Sequence, residues 1–172
     1  MIDYAQLQAY LTTWVRDVTG LNINHVIPQN DTGPRPKGQY ATIRVFDPVK
    51  IGHDAYTVTE GTVDPTTADF NYAGLRRIMV GINVYRGDAI GTMGSLKASF
   101  DRVLTQEYFA GKDIGIINTS ETRDISEVID GKYEERRQAD FFFFLTNTAT
   151  ENIEAIENIA GNNLIDGTTY SV

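Results

Sequence analysis

Acid–base, nucleophilic or metal chemistry would have to rest on two histidines, His25 and His53, because the chain has no cysteine. Each histidine stands alone in its stretch. Asp54 adjoins His53, and Glu60, Asp64 and Asp69 follow, but those spacings match no zinc, EF-hand or paired-carboxylate pattern. A solvated loop face accounts for them, with a weak cation site as the alternative. Without cysteine, disulfides, thiolate metal sites and cysteine nucleophiles are excluded, and no Gly-x-Ser-x-Gly elbow occurs. The best catalytic lure is RGDAIGTMGSLKASF, a glycine-rich turn between a strand and a helix, where phosphate-binding loops sit. A Walker A loop needs Gly-x-x-x-x-Gly-Lys-Ser/Thr, whereas Gly87, Gly91 and Gly94 lead to Ser95 and Leu96 with Lys97 displaced. The spacing is not Gly-x-Gly-x-x-Gly either, so the segment reads as a strand-to-helix turn. No catalytic residue, cofactor or metal ligand is expected.

The charged stretch YEERRQADFFFFLTN, residues 133–147, is more informative. Along a strand, Glu135 and Arg137 share a face with Phe141 and Phe143, while Glu134, Arg136 and Asp140 share the other with Phe142 and Phe144. The pattern predicts a strand passing from a charged, solvent-reaching half into a half buried on both sides. Each buried phenylalanine is worth about 1.5 to 3 kcal/mol, so leaving two in water would forgo several kcal/mol and invite aggregation. One face can pack on helices of the same domain. The closing segment ENIEAIENI or another subunit must cover the second.

The elements around this strand follow from periodicity. Asp3 with Gln6 reads as a capping box and Gly20 as a stop, and between them Tyr4, Leu7, Leu11, Trp14, Val15 and Val18 form one helical stripe. INHVIP reads as a short strand and PQNDTGPRPKG as a loop long and polar enough to contact a partner. YATIRVFDP alternates, with Tyr40, Thr42, Arg44 and Phe46 on one side and Ala41, Ile43 and Val45 on the other, and ends by Pro48. Residues 49–70 carry scattered apolar side chains and read as two weak strand pieces around an extended loop or long hairpin, which cannot pack densely alone. Residues 72–86 read as the clearest strand, a mostly buried run from Leu75 to Tyr85. One helix should follow, capped by Asp88 or Thr92, burying Met93, Leu96, Phe100, Val103, Leu104 and Tyr108, and ending at Gly111. DIGIINTS and TRDISEVI are short β pieces, and Ile153, Ile156 and Ile159, three apart, suit a helical turn. The predicted fold class is α+β, a mixed, mostly antiparallel sheet with two amphipathic helices on one face and an extended hairpin or loop excursion.

Length and charge bound the function. The 172 residues suit one domain, 1–172. The 23 acidic against 15 basic residues, a formal charge of −8, argue against affinity for phosphates. The start MIDYAQLQAY has neither a basic n-region nor an apolar h-region, and no apolar run approaches the ~20 residues that span a bilayer, so a soluble chain without membrane contact is expected.

The order of elements, above all the late strand YEERRQADFFFF followed by NIEAIENI, resembles the tail-terminator or neck-terminator proteins of tailed bacteriophages. That resemblance implies a non-enzymatic virion protein of the tail or neck, assembled in the host cytoplasm as a ring, commonly six-membered. The ring would end the tail tube, and the sheath in a contractile tail, and join the tail to the head connector or adaptor. DNA would pass through the channel without specific binding. Candidate inter-subunit contacts are Tyr56, Val58, Phe70 and Tyr72 in the excursion, and Arg136, Arg137, Asp140, Phe142 and Phe144 in the late strand. The excursion at 49–70 and the end GNNLIDGTTYSV have no counterpart in the family pattern. The alternatives are another head–tail adaptor or a tube-like subunit and, thirdly, a small ligand-binding α+β domain.

Overall fold

The computed structural model describes residues 3–60, 67–129, 131–154, 160–162 and 169–171. It is an α+β protein. In chain order it comprises α1 (Tyr4–Thr19), β1 (Val26–Pro28), β2 (Tyr40–Val45), β3 (Val49–Lys50), β4 (Ala55–Glu60), β5 (Thr67–Tyr85), α2 (Ala89–Phe100) and α3 (Val103–Ala110). Then follow β6 (Ile114–Thr119), β7 (Arg123–Asp124), β8 (Glu127–Ile129), β9 (Lys132–Glu134), β10 (Arg136–Glu154), β11 (Ala160–Asn162) and β12 (Thr169–Ser171). The chain divides into a large compact unit, residues 2–52 and 75–146, and a small one containing residues 53–74 and 147–172. Strands β5 and β10 each contribute to both.

In the large unit the sheet runs β1-β2-β5-β10-β6, with β3 on β5 and β7 on β10. β1 lies parallel to β2, whereas β2 pairs antiparallel with β5 and β10 with β6. One face of the sheet carries the core. Asp3 Oδ1 accepts the Gln6 N–H at 3.0 Å to start α1, and Gly20, at φ 71°, ends it with its N–H on the Arg16 carbonyl. The stripe between these caps buries Leu7, Leu11, Trp14 and Val15. Trp14 is the hub: its ring meets Phe141 at 5.3 Å, Phe109 at 5.5 Å, Phe100 at 5.8 Å and Phe143 at 6.4 Å, mostly edge-on, and its Nε1 donates to Ser99 Oγ at 3.2 Å. Ile78, Val80, Ile82 and Val84 of β5, with Ala41 and Ile43 of β2, complete the same layer.

The single helix expected over residues 88–111 is two, broken at Asp101 and Arg102. Arg102 adopts an extended backbone, φ −79° and ψ 139°, and its N–H bonds the Ser99 carbonyl at 3.0 Å. The break rotates the second piece, so that Thr105 and Phe109 face the core while Val103 and Leu104, expected inside, are 67% and 79% exposed. Leu75, counted with the buried run, is likewise exposed, because it lies on the stretch of β5 that β3 borders and precedes the core residues beginning at Ile78.

In the small unit β5 has β4 and β10 as neighbours. β4 pairs with β5 from Ala55↔Ala73 to Glu60↔Ala68, the hairpin expected of the excursion. The closing segment is extended through Glu154, as a continuation of β10, so Ile153 sits on a strand rather than a helical turn; Ile156 and Ile159 lie outside the described residues.

Candidate assembly surfaces

The four phenylalanines have two environments. Phe141 and Phe143 are fully buried beneath Trp14, Phe100 and Phe109. Phe142 and Phe144 are half-buried on the opposite face, Phe144 lying over Gly115 where a Cβ would meet it at 3.3 Å. Arginines cover that outer face in place of a second layer of helices. The Arg77 guanidinium stands 5.9 Å from the Phe142 ring, Arg44 4.5 Å from Phe46, Arg136 4.9 Å from Tyr85 and Arg86 5.6 Å from Tyr40. The stems and planar heads of arginine shield ring faces while keeping charge in water, so the outer face of the sheet, Phe142 included, is partly covered without a layer of helices. Gly81 makes room beneath: a Cβ there would meet Phe46 at 3.2 Å and Asp140 Oδ1 at 3.5 Å.

The charged half of β10 is less solvent-reaching than its composition suggests. Asp140 is buried and accepts from Arg123, while its N–H donates to Ser120 Oγ at 2.9 Å. Arg137 pairs with Asp124 at 2.5 Å and lies 3.6 Å from Glu135. Arg136 donates to Asn83 Oδ1 at 3.2 Å, and Asn83 donates to Thr42 Oγ1 at 3.3 Å. These intramolecular partners bring charged groups into the sheet and bury the stretch from Ala139 to Asp140 as fully as the Phe run. Hydrogen bonds from the Ser126 hydroxyl and N–H hold the Asp124 carboxyl below the ordinary aspartate range, with Arg137 adding to the effect.

At the other end of this face Arg86 clasps the proline-rich loop. Its φ is 61°, a costly conformation for a side-chain-bearing residue, and three bonds hold it there. Its N–H reaches the Glu135 carbonyl at 2.8 Å, Nε the buried Glu134 carboxylate at 2.6 Å and Nη1 the Pro36 carbonyl at 3.1 Å. Tyr40 and Tyr85 stack beneath at 4.5 Å and 2°, and burial pushes the Tyr40 phenol above the ordinary tyrosine range. The loop expected to be available to a partner is thus partly tied to its own sheet.

The small unit shows an alternation of another kind. Tyr56, Val58, Phe70 and Tyr72 share one face, with Tyr56 6.0 Å from Phe70 and 6.2 Å from Tyr72. Tyr56 is 62% and Val58 52% exposed, and the Tyr72 hydroxyl donates to Glu151 at 3.4 Å on the same side. The opposite face is a polar ladder: Asn71 donates to Thr59, Thr150 to Asn71, and Asn152 to Thr67 and Asp69. The structure therefore brings together the four excursion residues singled out by sequence. Residues 53–74 and 147–172 contain eight acidic residues and no lysine or arginine, so the chain's whole formal charge of −8 belongs to this unit.

Asp88 Oδ1 accepts the Gly91 N–H at 2.9 Å, filling the position a phosphate would take at the start of α2. A Cβ at Gly91 would clash with the Asp88 carboxylate in this capping position. Among the described residues no three His, Asp or Glu side chains come together as metal ligands, and no helix is long and apolar enough to cross a membrane. Sequence reasoning overlooked Arg77, Arg86 and Arg123 as parts of the outer face. For Arg77 the available signal was an arginine doublet, Arg76 and Arg77, inside an otherwise apolar strand.

No curated protein matches the chain. The sequence model for phage neck terminator proteins matches residues 5–168, nearly the whole length and both compact units. The chain therefore belongs to the phage neck terminator family, structural proteins of the tail and neck of the virion.

Proposed function

We propose that the protein acts by assembly rather than catalysis: copies close into a ring, commonly six-membered in the family it resembles, that ends tail-tube growth and joins the tail to the head connector. The observation that carries the ring is the small unit's aromatic face. Burying Tyr56, Val58, Phe70 and Tyr72 would recover several kcal/mol that a lone subunit leaves in water. Tyrosine-rich sheet faces of this type supply contact area at low entropic cost. The excursion serves as an arm that docks on the next subunit, and the subunit forms one functional domain over residues 1–172. One side of the ring presents a surface that the next tube subunit cannot use, and the other receives the connector. An acidic subunit suits this role, because like charge around a channel lets DNA pass without being held.

The test is to add the purified protein to polymerising tube protein of the same phage and image the products. Tubes that stop growing and carry a ring at one tip support the proposal. Tubes that grow on unchanged, or incorporate the protein along their length, reject it and favour a tube-like subunit or an adaptor. Deleting Ala55 to Asp69 should leave a folded subunit by circular dichroism with weakened self-association; an unfolded product would mean that the excursion is part of the core.

A further inference from the structure

We infer that the arginine-clad outer face of the large unit's sheet is the surface that receives the arm of a second copy, making the contact between copies electrostatic and head-to-tail. This rests on the ring reading above and names the acceptor. On the outer face Arg44, Arg77 and Arg136 engage ring faces or an amide, and among the described residues none of the three meets a carboxylate. By contrast Arg86, Arg123 and Arg137 are each matched to an acid within the unit. Arg44 and Arg77 are exposed beside the half-buried rings of Phe46 and Phe142. The large unit is formally neutral in total, so the positive charge of these arginines is a local feature of this face.

The arm supplies the complement. It holds no lysine or arginine, carries the entire net charge, and shows an aromatic face with Glu151 set among its tyrosines. Guanidinium groups already standing over rings can accept a further aromatic ring or a carboxylate, since they hold several donors in a planar fork. Two acidic arms repel each other, and two arginine-clad faces do likewise. The favourable pairing is therefore arm to face, a heterologous contact that closes into a ring when the rotation allows. A nucleic acid on the arginine face is the less favoured occupant, because the unit as a whole offers no net positive charge.

The experiment compares solution masses of full-length variants, each confirmed as folded by circular dichroism. Raising salt from about 0.05 to about 0.5 M should weaken wild-type association by about tenfold or more. Arg44→Glu with Arg77→Glu, and separately Ala149→Lys with Glu151→Lys, should each abolish association at low salt. Mixing the two variants should restore it, since the lysines introduced on one arm then meet the glutamates introduced on the other face, and Arg44→Lys with Arg77→Lys should assemble nearly as the wild type does. Wild-type-like rings from both reversed variants, or no recovery on mixing, would overturn this contact while leaving the ring intact. A wild-type chain that stays monomeric at low salt would overturn the ring and this contact together.

Discussion

Between Ile78 and Val84, β5 turns every second side chain into a core ruled by Trp14, whereas between Ala68 and Ala73 the same strand leaves Phe70 and Tyr72 half-exposed. β10 behaves in parallel, burying Phe141 and Phe143 and then exposing Thr148 to Ile153. The two stretches do not differ in strand propensity; they differ in what covers them. In the large unit two helical segments and α1 supply a second layer, and fifteen cations balance its acids. The small unit has no helix among its described residues and no cation in its sequence. The first arrangement stabilises a subunit, whereas the second leaves an aromatic face in water that the proposed ring would cover.

Substitutions can break or sharpen that contrast. Phe143→Ala should cost about 3 to 5 kcal/mol in urea unfolding, because its ring sits at 0% exposure among Trp14, Phe100 and Phe109 and leaves a cavity. A loss below ~1 kcal/mol would mean that the aromatic hub is not the core. Glu134→Gln should cost about 1.5 to 3 kcal/mol, since Arg86 loses a charged acceptor at 2.6 Å while still holding a left-handed backbone. Faster proteolysis within the loop at 28–38 would report the released clasp. Tyr56→Ala should change subunit stability by no more than about 0.5 kcal/mol, as expected of an exposed site, yet weaken self-association measurably. Equal effects on both would erase the distinction between the units. Smallest is Asp124→Asn. A carboxyl held below its unfolded value of 3.8 adds stability above that pH and loses it as pH falls through the folded value. The variant should lose a little stability near neutrality and have a flatter acid limb, so that its deficit against the wild type shrinks as pH falls; a deficit that grew on acidification would contradict the sign.

Much of the fold was legible because period and caps agree. Asp3, Gly20 and the Leu7–Leu11–Trp14 stripe specify α1 locally, and the alternation of Ala41 and Ile43 against Tyr40 and Thr42 specifies β2. The break at Arg102 was not legible, because Val103 and Leu104 continue the apolar period and only tertiary packing of Phe109 on Trp14 selects the rotated register. The aromatic face of the hairpin could be read from spacing alone. The arginine-covered outer face could not: arginines that stand over rings resemble any surface charges in a sequence, and the pairing of Arg77 with Phe142 joins residues distant in the chain. The expectation of a solvent-reaching charged half in β10 failed for the same reason, since Arg123 and Ser120 reach Asp140 from another strand and turn.

The central claim is that the subunit is completed by copies of itself. Light scattering across a concentration series at low salt, followed by negative-stain imaging, tests it most directly. Closed rings of about six subunits are expected, with contacts above the ~1,000 Å² typical of specific interfaces. A strictly monomeric protein at every concentration, or open-ended stacked tubes, would contradict it.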